Sequence, residues 1–293
     1  MQSVEFTAFD TVVSIRADAD AAVLEECRTL CARYEHLLSR FDETGPLWRL
    51  NHAGGKRVAL PDELAIFLEV ALGYCARGEG RFDITMGSVC KLWDFHTGFV
   101  PSEVSVAEAL DHVGWQGVHV AGNEAWLDDP QAWIDLGGIA KGYIADKLVA
   151  FLREAGATRG IVDLGGNIFA LGSRPDGNPW RIGIRAPRHS GDVQEKPVAV
   201  VEVRDKSVVT SGTYERAFTR GGMTYHHILD PKTGFPVDTD LVSATVISDL
   251  SVDGDGYSTT LLALGREGAL RFAQEHPWIE VVLVTNDGEV VCS

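Results

Sequence analysis

Apolar residues recur at three- and four-residue spacing at Val23, Leu24, Cys27, Leu30, Cys31, Tyr34, Leu37 and Leu38, which predicts a long amphipathic helix. A first strand is expected before it, over Val12–Arg16, and the turn-rich stretch Ser39–Asn51 ends it. Pro61-Asp62 opens a second helix with Leu64, Phe67, Ala71, Tyr74 and Cys75 inward, stopped by Gly78 and Gly80. The segment Gly80–Phe95 mixes polar and aromatic residues with no clean period, the mark of a stretch shaped by a site or a turn. From Trp133 the pattern becomes strand, glycine turn and helix, with Ile144, Leu148, Phe151 and Leu152 on one face and Gly156 beyond the end.

The remainder reads mainly as strands. Gly160–Gly172 predicts two strands around a Gly165-Gly166 bend, and the runs WRIGIRAP and VAVVEVRDKSVVTSG alternate with a period of two. Tyr225–Val237 predicts a short strand broken by a Pro/Gly turn. LVSATVISD predicts another strand, GDGYSTTLLALG a helix start, and WIEVVLVTNDGEVV a strand pair around Asn286-Asp287-Gly288. Helices and antiparallel-looking strands alternate irregularly, with no repeat and no linker. The expected fold is α+β, with mixed, largely antiparallel sheets and packed helices in a single compact unit over residues 1–293.

Charge narrows the partners. The 26 basic side chains are outnumbered by 42 acidic ones, for a formal charge of −16, and no Lys/Arg run is present. A general nucleic-acid binder needs a basic face, so that class is excluded, and anionic lipid would repel the chain. No stretch has the roughly 18 to 20 apolar residues of a membrane helix, and the start shows neither an export signal nor a lipid-modified cysteine. The five cysteines are odd in number with no CxxC, and Cys27 and Cys31 fall on a helical stripe. Buried free thiols and a reducing cytoplasmic location are expected.

Three features carry candidate chemistry. In Asp135-Leu136-Gly137-Gly138-Ile139-Ala140-Lys141-Gly142, glycines permit close backbone approach and the following helix offers N–H groups to an anion; the alternative is a tight turn with a surface lysine. Asp255 and Thr259, four apart at the expected helix start, project from one face. With a nearby carbonyl they form a hard oxygen set suited to Mg²⁺; the alternative is that Asp255 simply caps the helix. His227, three residues before Asp230 and a Pro231–Gly234 turn, offers an imidazole to take a proton near neutral pH, where the alternative is a structural histidine. Adjacent His226 should point to the opposite side.

The ordered set SRFDETGPLWRLN, GRFDITMGSVCKLW, DLGGIAKGYIAD, DLGGNIFALG, PWRIGIRAP, VVTSGTYER, YHHILDPKTGFPV and GDGYSTTLLALG resembles the ApbE family of FAD:protein FMN transferases, from about Ala8 to the C-terminus. The resemblance implies that Mg²⁺-bound FAD is split at its diphosphate. FMN is joined to a threonine of an acceptor flavoprotein and AMP leaves. It implies metal ligands at Asp255, Thr259 and the Gly138 carbonyl, and flavin-nucleotide contacts at Phe9, Phe41, Arg81, Phe82, Asp83, Asp135, Lys141, Leu229 and Ser258. It implies a catalytic role for His227, and turnover rather than mere FAD holding because residue 41 is aromatic. At the N-terminus Phe9-Asp10-Thr11 stands where the family has M-G-T, placing a carboxylate where glycine is usual. With no export signal in view, the chain resembles the cytoplasmic minority of the family.

The chemistry follows. A threonine hydroxyl is a poor nucleophile at pH 7, and a positioned base contributes about 10²- to 10⁴-fold. Like charges 4 Å apart cost about 4 kcal/mol at an effective dielectric of 20. Asp255, Asp135 and Asp83 should therefore reject the diphosphate unless a divalent cation reverses the sign. The competing readings are a metal-dependent FAD pyrophosphatase releasing FMN and AMP, and a non-catalytic FAD-binding protein.

Overall fold

The structure is a computed structural model that describes residues 1–185 and 196–293. Residues 1–293, read above as one domain, fall into two compact units whose segments alternate along the chain. Met1–Glu35, Ile139–Gly212 and Thr239–Ser293 make the first, and His36–Gly138 with Thr213–Asp238 the second. Neither unit is a continuous piece of sequence.

In chain order the first elements are β1 (Gln2–Ala8), β2 (Thr11–Ala17), α1 (Ala21–Leu38), α2 (Pro46–Asn51) and β3 (Val58–Ala59). Helices α3 (Asp62–Arg77), α4 (Gly87–Cys90) and α5 (Glu103–Leu110) precede β4 (Val118–Ala121) and β5 (Glu124–Leu127). Next come α6 (Ala140–Glu154), β6 (Gly160–Leu164), β7 (Asn167–Leu171), β8 (Trp180–Ile184), β9 (Ala199–Val203) and β10 (Lys206–Gly212). The chain ends with β11 (Ala217–Arg220), β12 (Met223–His226), β13 (Leu241–Ser248), α7 (Ser251–Glu275), β14 (Ile279–Thr285) and β15 (Val290–Cys292).

The first unit is built on an eight-stranded sheet in the order β1-β2-β6-β7-β10-β13-β14-β15, antiparallel at every step. Alternation along β10 sends neighbouring valines to opposite faces. Val208 joins Ile182, Ile184, Val203 and Ile247 under the β8–β9 hairpin, whereas Val209 lies against Gly254 of α7. Both faces of the strand are covered at these two valines. Gly165 (φ 64°) and Gly166 (φ 96°) make the tight β6–β7 turn, and a Cβ on Gly165 would fall within 2.1 Å of Thr11. At β1–β2 the same kind of turn is made by Phe9 (φ 55°) and Asp10 (φ 56°), at a strain on the order of 1 kcal/mol per residue that glycine avoids.

The second unit holds α3, whose buried face (Leu64, Ala65, Phe67, Leu68, Ala71, Tyr74, Cys75) follows the predicted spacing, and a three-stranded sheet in the order β3-β5-β4. The β11–β12 hairpin stands as its own two-stranded sheet. Beside it Met86, Val89, Trp93, Ala109 and Leu229 form a cluster with Tyr225 and Phe235 packed on it.

Several local expectations are corrected. Strand β1 was not read from the sequence, and the Ser39–Asn51 turn contains α2, which Pro46 starts. The strand expected at Trp133 is an extended segment with a single bridge, Met86 to Trp133. The strand over Trp180–Pro187 is seen as Trp180–Ile184, and Ala186 and Pro187 lie outside the described residues. All five cysteines are free, and among the described residues no helix is long and apolar enough to cross a membrane.

Helix α7 starts three residues earlier than its pattern suggests, because its cap comes from elsewhere. Asp146 of α6 accepts the N–H of Ser251 at 2.7 Å and of Val252 at 2.9 Å. Burial pushes the Asp146 carboxyl up from 3.8 to about 6, although those two N–H groups pull the other way. The folded chain therefore holds this proton more tightly than the unfolded one, and Asp146 subtracts stability as pH rises through about 4 to 6. In Asp146→Asn that loss should vanish. Denaturant titrations at pH 4 and 7 should show the wild type losing about 2 kcal/mol more than the variant across the interval.

Candidate active site

In the first unit the decisive position is Asp255. Helix α7 begins at Ser251 with Leu250 in the cap position, so Asp255 is inside the helix and the helix-capping alternative does not hold. Its side chain is buried, 6% exposed, and Oδ2 accepts the Gly142 N–H at 2.9 Å. Gly142 lies in the first turn of α6, where donors lack intrahelical partners and the cap residue Ile139 makes no side-chain bond. The anion at this helix start is therefore the protein's own carboxylate, set at the positive end of α6. The approach requires glycine. A Cβ at 142 would lie 2.4 Å from the Ser251 carbonyl oxygen and 2.7 Å from Asp255 Cβ.

Lys141 Nζ stands 3.9 Å from Asp255 Oδ1, so it is a partner of the buried carboxylate and not a surface lysine. Burial pushes the Asp255 carboxyl up, against the pull of the Lys141 charge and the Gly142 N–H, and burial prevails. One turn along the same face, the Thr259 hydroxyl lies 3.2 Å from Ser211 Oγ. Ser258 is fully buried; its hydroxyl lies 2.8 Å from Ser211 Oγ and donates to the Asp255 carbonyl at 3.3 Å. Phe9, expected to touch nucleotide, sits in the β1–β2 turn with its N–H on Glu35 Oε1 at 2.7 Å.

These residues fit a hard divalent cation. The donors are a buried carboxylate and a hydroxyl, hard oxygens of the kind such a cation takes. Among the described residues no cluster of three or more His, Cys, Asp or Glu side chains could hold a metal alone. An ion here would draw most of its ligands from carbonyls, waters and substrate, as Mg²⁺ does.

The second unit carries the other predicted residues. Asp135 Oδ2 pairs with Arg40 Nε at 2.9 Å, and Oδ1 accepts the Gly137 N–H at 2.8 Å. The Arg40 guanidinium lies 4.2 Å from the centre of the Phe41 ring, which is 75% exposed. Arg40, only 13% exposed, thus joins two predicted residues, yet the sequence reading passed over it. Asp83 is spent on its own loop: Oδ1 accepts the Thr85 N–H and hydroxyl, and Oδ2 the Trp115 N–H. Of the three acids Asp255, Asp135 and Asp83, Asp135 is paired with Arg40 at 2.9 Å and Asp83 is taken up by N–H and hydroxyl donors, whereas the cation nearest Asp255 stands 3.9 Å away.

Gly138 lies against Phe82, whose ring would be 3.1 Å from a Cβ there. Arg81 bonds Asp230 Oδ2 at 2.9 Å, and Asp230 in turn accepts the N–H groups of Lys232 and Gly234, fixing the turn after His227. Leu229 is buried in the aromatic cluster. His227 follows directly on β12, its N–H bonded to the Arg216 carbonyl at 3.1 Å. His226 is buried and His227 is half-buried, as alternation predicts.

The profile of the ApbE family matches residues 9–283. A Treponema pallidum protein named FAD:protein FMN transferase is 38% identical over 290 residues, covering 93% of this chain and 79% of its own length. The crystal structure of the ApbE protein from Thermotoga maritima superposes with a TM-score of 0.90 at 25% identity, covering all of this chain and 96% of its own. That of the flavinyl transferase ApbE from Pseudomonas stutzeri, in its apo form, gives 0.86 at 27%, covering all of this chain and 93% of its own.

The contact at Gly142 yields a direct test. Gly142→Ala forces the two helices apart, and urea unfolding should show a loss of about 1–3 kcal/mol, against less than about 0.5 for the exposed control Lys147→Ala.

Proposed function

This chain belongs to the ApbE family, and we propose that it acts as an FAD:protein FMN transferase, moving the FMN half of FAD onto a threonine hydroxyl of an acceptor flavoprotein with release of AMP. The observation that carries the metal-dependent form of this reading is the buried Asp255 one turn from Thr259. Asp255, Thr259 and the Gly138 carbonyl are the proposed ligands. A bound Mg²⁺ would supply Lewis-acid stabilisation of charge on the diphosphate and on the departing AMP phosphate.

The chain's own residues do the rest. His227 takes the proton of the threonine hydroxyl as its oxygen bonds to the FMN phosphorus, while the bond from that phosphorus to the diphosphate's bridging oxygen breaks and AMP carries the oxygen away. Lys141 holds positive charge beside Asp255. Phe41 offers an exposed ring for the flavin, steadied by Arg40. Phe9, Arg81, Phe82, Asp83, Asp135, Leu229 and Ser258 complete the proposed flavin-nucleotide contacts. Asp83 and Ser258 act by shaping loops and helices, since their polar atoms are already bonded. Five free thiols support a cytoplasmic location.

Incubation with FAD, Mg²⁺ and a threonine-bearing flavoprotein should add one FMN to the acceptor by intact mass and release one AMP. Free FMN whether or not acceptor is present would make the chain a pyrophosphatase, and retained FAD without AMP would make it a holder. Asp255→Asn keeps an acceptor for the Gly142 N–H, so the fold should survive while metal-dependent turnover falls at least about 100-fold. His227→Ala should lower kcat about 10²- to 10⁴-fold with FAD affinity nearly unchanged. A loss confined to affinity would remove the imidazole from the role of base.

A further inference from the structure

Asn167, the first residue of β7, is 2% exposed and follows the Gly165-Gly166 turn. Its Oδ1 accepts the Ser251 hydroxyl at 2.6 Å, and the Ser251 oxygen in turn accepts the hydroxyl of buried Ser207 at 2.9 Å. The Ser207 hydroxyl also lies 3.3 Å from the Ile168 carbonyl oxygen. With Oδ1 on Ser251, Nδ2 must face away from it, and that nitrogen is buried with no acceptor at full hydrogen-bond geometry.

Ser251 and Asp255 are one turn apart on the same face of α7, so the free end of the amide lies on the Asp255 side. The Asn167 side chain is within interaction range of the Asp255 carboxyl. Burying an amide N–H short of full hydrogen-bond geometry is costly, and an apolar residue of the same shape would avoid that cost. A donor kept at that cost beside a buried carboxylate has a use for it.

We propose that Asn167, oriented by Ser251 and Ser207, is a positioning residue for Asp255, holding the carboxyl group in one orientation for a divalent cation. The inference rests on the metal-dependent reading above and extends it to residues outside the ligand set. Outer-layer donors of this kind are worth about 10- to 100-fold in metal affinity when removed.

The test uses Mn²⁺ as probe, followed by the electron paramagnetic resonance of the free ion in the full-length protein with FAD present, together with the Mn²⁺ dependence of AMP release. Asn167→Leu should weaken Mn²⁺ binding about 10- to 100-fold and raise the Mn²⁺ concentration for half-activation equally, with kcat at saturating Mn²⁺ largely kept. Ser251→Ala, which leaves Asn167 in place but frees its amide to turn, should weaken binding by about 3- to 10-fold and serves if the leucine variant does not fold. Ser243→Ala, which trims another buried, unpartnered hydroxyl of the same sheet, should leave Mn²⁺ binding unchanged. Wild-type Mn²⁺ affinity in both Asn167→Leu and Ser251→Ala, even with a lower melting temperature, would reduce Asn167 to a packing role and overturn the proposal. Failure of the wild type itself to bind Mn²⁺ would bring down the metal-dependent reading, and this inference with it.

Discussion

The arrangement of the first unit depends on one buried carboxylate accepting one backbone N–H. Asp255 reaches from the second turn of α7 to the first turn of α6, and Gly142 makes the approach possible by having no side chain. In water this bond would be worth about 1 kcal/mol, but here both groups are buried and each is the other's main compensation. The reverse exchange occurs close by, where Asp146 of α6 caps α7 through Ser251 and Val252. Each helix thus supplies a carboxylate to the other's N-terminus. Two positive helix ends and two acids are brought together with little freedom for either helix to slide.

Such reciprocal capping leaves both carboxyl groups above their ordinary range, because burial outweighs the bonds they accept. The two differ in what surrounds them. Both Asp146 oxygens are taken by N–H groups, so its acidity concerns stability alone. Asp255 has one oxygen on Gly142, a lysine at 3.9 Å and the Asn167 amide within reach. A carboxylate in a dry place gains from a cation beside it.

The second unit treats charge in the opposite way. Asp135, Asp83 and Asp230 are each paired or bonded within this unit, and the exposed Phe41 ring is held by a guanidinium that Asp135 anchors. An acidic chain of −16 can therefore present surfaces that do not simply repel a diphosphate, since several carboxylates are already matched locally.

By itself the sequence was enough for several features that depend on neighbours along the chain, though not for β1 or α2. The stripe of α1 and the inward face of α3 followed from spacing, the β6–β7 turn from paired glycines, and the alternation of His226 and His227 from strand period. The family followed from the order of its motifs. What spacing could not show was any partner supplied from afar. The start of α7 was misjudged because its cap, Asp146, lies on another helix. Arg40 went unnoticed because Asp135 is distant in sequence, and Asp83 looked available because its bond to Trp115 N–H joins two loops. Composition can count acids and bases, but only the folded chain decides which of them meet, because burial and hydrogen bonding are set by distances that the linear order does not contain.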